Sequence, residues 1–278
     1  MIKTTDLRQK LHELVSGSQS RLQQLAESLQ EEEERAADLL YNHLLGRGSD
    51  QVYGFQRYMH YTTAFSGDLV LARYSPDGRL LIFHADASGH GLSATLTLMP
   101  AASAFREGVD AGMPLDQLVK SINQTLHQQL PANRFVAATL TEIHSAAKSL
   151  TVWNGAMPPV LLLGPTGECV RRFESGNMAL GIMAQPEPQL QSCQLPATGR
   201  LLGFSDGLTD QRNAAGGVWG ELRLLQVLQG DSGSGLLRRI IEDLQNFCGS
   251  SYFDDDVSLF VAEVGLVCSK TTRHHPAI

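Results

Sequence analysis

Apolar residues recur along the first fifty positions at steps of 3 and 4, through Leu7, Leu11, Leu14, Leu22, Leu25, Leu29, Ala36, Leu40 and Leu44, with Ser18 and Glu33 as polar interruptions in the same frame. The steps repeat as 4-3-4, an eleven-residue period that predicts a straight or slightly right-handed helical stripe rather than a heptad coiled coil. Ser16-Gly17-Ser18 is the triplet that could break it. A stripe of this kind either folds back on its own domain or pairs with a second copy or a signalling partner. Residues 45–50 (LGRGSD) form a polar, glycine-bearing break, which sets the expected boundary. The expected organisation is a helical linker, dimerisation or signalling segment over 1–50, one domain over 51–266, and a mobile polar tail over 267–278.

Beyond the break the texture changes to short apolar runs separated by turn residues. Residues 70–74 and 79–85 flank Ser75-Pro76-Asp77-Gly78, a turn sequence, and predict a hairpin. Antiparallel pairing then brings Asp68 and Asp86 together at its open end, because the turn lies midway between them. Residues 92–109 and 114–130 read as helices, with Pro100 expected to kink or divide the first. Strand-like runs follow at 134–144, 149–154, 160–164 and 169–173, an antiparallel meander. A strand at 200–204, helices at 219–228 and 236–247, and a strand at 257–264 complete the pattern. Helices grouped between runs of antiparallel strands predict an α+β layered fold rather than βαβ units.

Composition narrows the class without naming a function. The chain has 278 residues, 42% hydrophobic and 18% charged, enough for a substantial soluble core. No apolar run approaches the roughly 20 residues that span a bilayer. The start, MIKTTDLRQKLHEL, lacks the apolar region of a secretory signal, so the expected compartment is the cytoplasm. Cys169, Cys193, Cys248 and Cys268 are widely scattered and read as free thiols. A net charge of -7 argues against nonspecific nucleic-acid binding.

The chemistry concentrates in the acidic positions. Asp68, Asp86, Asp206 and the triplet at 254–256 each touch an end of a strand-like run. Taken singly, each reads as an ordinary turn or a charged strand entry. Carboxylates are seldom buried unless paired or metal-bound, so their joint occurrence points to a cluster around cations. Oxygen donors without a Cys or His cluster suit Mn²⁺ or Mg²⁺. Two such ions can activate a water for in-line attack on a phosphoryl group without a protein nucleophile. That fits a chain with no GxSxG elbow and no cysteine in a phosphate-cradling loop.

Five motifs then occur in order: SGD at 66–68, DASGHG at 86–91, NGAMPP at 154–159, SDGLTD at 205–210 and DDVS at 255–258. In order and approximate spacing they resemble the PPM (PP2C-like) serine/threonine phosphatases of the SpoIIE/RsbU type, over roughly 53–264. The resemblance implies a β-sandwich of antiparallel sheets flanked by helices. It implies two Mn²⁺ or Mg²⁺ ions, with Asp86 as the bridging carboxylate and the Ala87 backbone carbonyl as a further contact. Asp68, Asp206 and Asp255 are the remaining metal-site carboxylates, with Asp256 as the substitute if the register slips by one. Asp86 and Asp68 are the residues expected to carry catalysis. Two departures stand out: Ser66 replaces the first glycine of the family's GGD, and Met157 stands where NAGHPP has its histidine. His90 is left as either structural or site-lining, and Arg57 and Arg73 as candidate phosphate binders.

The activity implied is removal of phosphate from serine or threonine of a bacterial regulatory protein, by resemblance a phosphorylated anti-sigma-factor antagonist. The alternative is a catalytically silent module that sequesters that partner. The N-terminal helix resembles linkers controlled by receiver or sensor modules. The chain is therefore expected to be a fragment of a longer protein or to be regulated in trans, with a homodimer through the helix as one route.

Overall fold

The computed structural model describes residues 52–131, 133–229, 235–250 and 253–269, together with scattered helical positions between 21 and 40. The chain divides into two compact units, Met1–His43 and Leu44–Ile278. In the first, the described positions of the predicted stripe, Leu25, Leu29, Ala36 and Leu40, are helical, whereas the Ser16-Gly17-Ser18 break and the 45–50 boundary lie outside the described residues.

The second unit is built on two five-stranded sheets, every strand pair within them antiparallel. One runs β1(Phe55–His60)-β10(Val257–Glu263)-β9(Arg200–Phe204)-β6(Val160–Leu163)-β7(Cys169–Phe173). The other runs β2(Asp68–Tyr74)-β3(Leu80–Ala87)-β4(Val136–His144)-β5(Ser149–Gly155)-β8(Gln191–Gln194). The predicted hairpin is β2–β3, paired in register from Asp68↔Asp86 to Tyr74↔Leu80. Arg79 locks its turn to the neighbouring layer, donating to Asp77, Glu142 and the carbonyls of Gly112 and Met113.

Side chains alternate between faces at a period of two, and in β2 and β3 both faces are apolar because both are covered. Val70, Ala72, Leu80 and Ile82 meet Phe260 and Ala262 of the opposite sheet in the layer between the sheets. On the other face, Phe83 stacks on Phe105 of α1(Leu92–Asp110), ring centroids 5.4 Å apart. Helix α2(Leu115–Gln129) packs on α1. The first sheet is covered in the same way by α4(Gly220–Leu228) and α5(Leu236–Cys248), whose leucines and isoleucines bury Leu161, Leu202 and Phe204. The result is four layers, helices on two antiparallel sheets.

Several expectations change. Helix α1 runs undivided through Pro100. The carbonyl that loses its amide partner belongs to exposed Leu96, where solvent can reach it. Strands β1 and β8 and the short α3(Asp206–Thr209) were not foreseen. Residues 267–269, expected in the tail, belong to a helix: α6(Val264–Ser269) continues the fold, with Val267 buried and its carbonyl accepting from Tyr74 Oη at 2.8 Å. An apolar Gly-Leu-Val triplet after β10 supplies that anchor. Residues 270–278 lie outside the described residues.

Candidate active site

The inner-face rows of β3 and β10 change character along their length. On β3 the row reads Leu80, Ile82, His84, Asp86, and on β10, read backwards, Ala262, Phe260, Ser258, with Asp256 just before the strand. The layer between the sheets therefore passes from hydrocarbon through buried hydroxyl and imidazole to carboxylate at one end. There a pocket of about 200 Å³ opens, lined by Thr62, Gly67, Asp68, the run from Asp86 to His90, Asp206, Asp255 and Asp256. All the residues predicted for the metal site line it: Asp68, Asp86, Ala87, Asp206, Asp255 and the substitute Asp256.

Each carboxylate is delivered by a different local device. Asp68 and Asp86 face each other across the first rung of the hairpin. Asp206 follows β9, whose ladder with β10 is extended by Ser205 N–H donating to Ser258 O at 2.9 Å. Gly207 is required by close approach, since a Cβ there would sit 1.9 Å from the Asp256 carbonyl oxygen. Asp255 and Asp256 differ in employment. Asp256 Oδ1 accepts from Thr62 N and Oγ1, both at 2.8 Å, and Oδ2 from Gly67 N at 3.2 Å. Asp255 Oδ1 accepts from Asp256 N–H. Asp256 thus holds the segment entering β2, which separates the two adjacent carboxylates by role.

The turn after β3 presents a carbonyl. Ala87 N–H donates to Gly67 O at 2.9 Å, but Gly67 N–H points to Asp256 rather than back to the Ala87 carbonyl, as a complete antiparallel rung would have it. Gly89, at φ 95, lets the chain turn beneath Arg134, whose Nη1 would lie 2.4 Å from a Cβ there. Arg134 donates to Ser88 O at 2.6 Å and to Ser93 Oγ at 3.1 Å, clamping the turn to α1. It lies 48 residues after Asp86 in a loop, and no sequence signal singled it out. His90 is exposed and lines the pocket. Arg57 donates to Val70 O and Arg73 pairs with Asp110; neither lines the pocket, which contains no Arg or Lys.

Electrostatics follow from this crowding. Burial pushes the Asp86 carboxyl up from 3.8 to about 7, aided by the charges of Asp206, Asp255 and Asp256. Burial and then Asp86 hold Asp68 well above the usual range, although the hydroxyl groups of Ser258 and Ser205 oppose the rise, Ser205 by donating to Oδ2 at 2.9 Å. Burial, then Asp210, raise Asp206. These are groups short of compensating positive charge. Among the described residues no three of His, Cys, Asp and Glu are already gathered tightly enough to hold an ion. The carboxylates line one pocket, and the oxygen-only donor set is that of a hard divalent cation.

Both departures from the expected motifs are absorbed locally. Ser66 Oγ accepts from Asp68 N–H at 2.9 Å and its carbonyl accepts from Thr95 Oγ1, so the hydroxyl secures the strand entry. Met157 is buried and off the pocket, while Asn154 ties the same turn by donating to the Pro158 and Phe173 carbonyls.

Among solved structures the chain is similar to the SiaA-PP2C domain of Pseudomonas aeruginosa, at 19% identity and a TM-score of 0.69, covering 87% of this chain and 98% of that one. It is also similar to the PP2C phosphatase domain of SpoIIE from Bacillus subtilis, at 15% identity and 0.63, covering 76% and 63%. A third likeness is RsbX in complex with magnesium, at 16% and 0.56, covering 76% and 94%. These likenesses establish the PP2C fold. No curated protein matches the chain. The family model of Stage II sporulation protein E (SpoIIE) matches residues 76–265, more than half of the sequence and all but the first acidic motif, and the chain belongs to that family.

Proposed function

We propose that the protein is a divalent-metal-dependent phosphatase that removes phosphate from serine or threonine of a bacterial regulatory protein. The observation that carries this reading is the convergence of Asp68, Asp86, Asp206 and Asp255, from four separate segments, on one pocket where burial and mutual repulsion keep Asp86 near neutrality. Those carboxylates and the Ala87 carbonyl would hold two Mn²⁺ or Mg²⁺ ions; the magnesium in RsbX supports the choice. Bound there, the ions would lower the pKa of a water and offset the charge of a phosphate. The chain's own part is to fix the donors. Asp256 anchors the Gly67 segment, Arg134 fixes the turn at Ser88, and Ser205, itself held by Ser258 N–H, orients Asp68. No cysteine lines the pocket, so no protein thiol competes as nucleophile.

The favoured substrate is a phosphorylated anti-sigma-factor antagonist, on family grounds. The N-terminal helix is proposed as the route by which a receiver or sensor module, or a second copy, acts on the site. Among the described residues no helix is long and apolar enough to cross a membrane. A silent binding module is the competing reading, against which the retained carboxylates speak. Hydrolysis of p-nitrophenyl phosphate, with and without Mn²⁺, by wild type and Asp86→Asn separates the two. Mn²⁺-dependent turnover lost in the variant is expected, whereas metal-independent turnover or an unaffected variant overturns the metal mechanism. Phosphate retained on every phosphoprotein tried supports the silent module. Light scattering of the full chain tests the dimer, with twice the monomer mass expected.

A further inference from the structure

On one side of the pocket the chain leaves aliphatic and aromatic side chains in solvent. Leu92 is 45% exposed and Leu96 48%; they lie one turn apart on α1, starting two residues after His90, which lines the pocket. Phe135, 40% exposed, is tied to the same turn: its N–H donates to Ser88 Oγ at 3.1 Å and its carbonyl accepts from Ser88 N–H at 3.0 Å. Ile182, 43% exposed, follows on the neighbouring segment, where Leu180 bridges Val136 and a Cβ on Gly181 would lie 3.7 Å from the Arg134 carbonyl oxygen. Arg134 braces this border, reaching from just before β4 to Ser88 O and to Ser93 Oγ on α1.

Single exposed apolar side chains are ordinary, whereas several gathered beside one cleft mark a surface that gains by leaving water. The fold does not need them for packing, since α1 is already held by Ala94, Leu98, Ala101 and Phe105 on its buried face. What covers them follows from the reaction. A phosphoserine side chain is short, so a phosphate that enters the pocket draws the backbone of its own protein over the mouth. The residues flanking that serine then rest on the border. Electrostatics narrow the occupant further. The chain carries a net charge of -7, and the pocket is lined by five aspartates and by no Arg or Lys. Acidic residues beside the phosphate would find no cationic side chain in the pocket to pair with and would be repelled by the charge around it.

We propose that Leu92, Leu96, Phe135 and Ile182 form the docking surface for the phosphoprotein substrate, which presents a phosphoserine flanked by bulky apolar residues and by no acidic residue. This rests on the phosphatase reading above and deepens it by naming the chemistry of the substrate segment. Recognition of the protein would then sit on one sheet and its helix, apart from the carboxylates that meet the phosphate.

Three phosphoserine peptides of equal length test it on the full chain with Mn²⁺. One has Leu and Phe on both sides of the serine, the second has Gly and Ser in those places, and the third is the first with Glu next to the serine. p-Nitrophenyl phosphate reports the pocket alone. The apolar peptide should exceed the Gly-Ser peptide by roughly tenfold in kcat/KM, and the Glu peptide should fall well below the apolar one. Leu96→Gln and Phe135→Ser should each lower kcat/KM for the apolar peptide by roughly tenfold, mainly through KM, and leave p-nitrophenyl phosphate turnover unchanged. Circular dichroism checks folding; if neither variant folds, the ranking of the peptides on wild type decides. Equal kcat/KM on the three peptides, or variants that match wild type on the apolar peptide, would overturn the docking surface and leave the phosphatase standing. Parallel loss on peptide and p-nitrophenyl phosphate would overturn it too, by making the two residues part of the pocket's scaffold. A Leu96→Gln variant that falls from dimer to monomer in light scattering would assign the surface to a second copy and overturn the proposal. Wild type that hydrolyses neither peptide nor p-nitrophenyl phosphate overturns the phosphatase reading instead, and fluorescence anisotropy of the same peptides then decides docking by the same ranking.

Discussion

Replacing Asp86 by Asn should make the metal-free protein more stable while removing its activity. The Asp86 carboxyl is raised from 3.8 to about 7 by burial first and then by Asp206, Asp255 and Asp256. A native state that holds a proton more tightly than the unfolded chain is stabilised at low pH and loses that stability as pH rises through the folded value. The loss therefore begins near pH 4 and is complete somewhat above 7. At 1.36 kcal/mol per unit, a rise of about 3 units corresponds to about 4 kcal/mol, a ceiling because the pocket can relax and admit water. Asn carries no charge at any of these pH values. The variant should match wild type near pH 4 and exceed it increasingly toward pH 8. Half of the ceiling, about 2 kcal/mol, would appear as roughly 4–8 °C in melting temperature for a domain of this size. Asp68, raised in part by Asp86, shifts in the same direction and is relieved by the same change. Thermal unfolding in EDTA across pH 4–8 measures the gap. Adding Mn²⁺ should then invert the order, since a ligand at a hundred times its dissociation constant adds about 2.7 kcal/mol to the protein that binds it. An Asn variant no more stable than wild type at pH 8 in EDTA would refute the claim that the carboxylates are held together against their own repulsion.

Other substitutions probe the scaffold around the pocket. Gly207→Ala places a Cβ against the Asp256 carbonyl, and should cost roughly 2–4 kcal/mol in urea unfolding and weaken Mn²⁺ binding with it. Asp255→Asn should weaken Mn²⁺ binding in calorimetry without lowering metal-free stability. Asp256→Asn should instead lower stability by roughly 1–2 kcal/mol, because it disturbs the anchor on Thr62 and Gly67. Equal metal loss with unchanged stability in both would erase the division of labour between them. Arg134→Ala should slow turnover of p-nitrophenyl phosphate by roughly tenfold, the rate equivalent of one hydrogen bond of about 1.4 kcal/mol. Amide exchange at Ser88 and Gly89 should quicken, and a lysine, lacking the planar fork, should not restore it.

What could be read without coordinates was what local chemistry decides. The SPDG turn fixes the hairpin, and symmetry about that turn is enough to set Asp68 opposite Asp86. Adjacent identical residues offered no way to tell Asp255 from Asp256; that Thr62 and Gly67, nearly two hundred residues earlier, bond to Asp256 is a fact of the folded chain. Strand β1 has no clean alternation and is mostly half-buried, so its identity comes from pairing with β10. Strand β8 is four residues at a sheet edge and exists by its ladder with β5. Ser205 and Ser258 stood beside acidic residues in the motifs and were readable as hydroxyls near a carboxylate. His84 looked like any residue of a buried run until its partner on the other sheet was seen.

The pocket draws Asp68, Asp86 and Ala87 from one sheet and Asp206 and Asp255 from the strand ends of the other. Cations lodged there would act as rivets through a seam. A slide of one sheet past the other, too small to disturb the aliphatic packing behind it, would misalign the rivet holes, so whatever grips a single sheet from outside has a throttle on the chemistry without ever touching it.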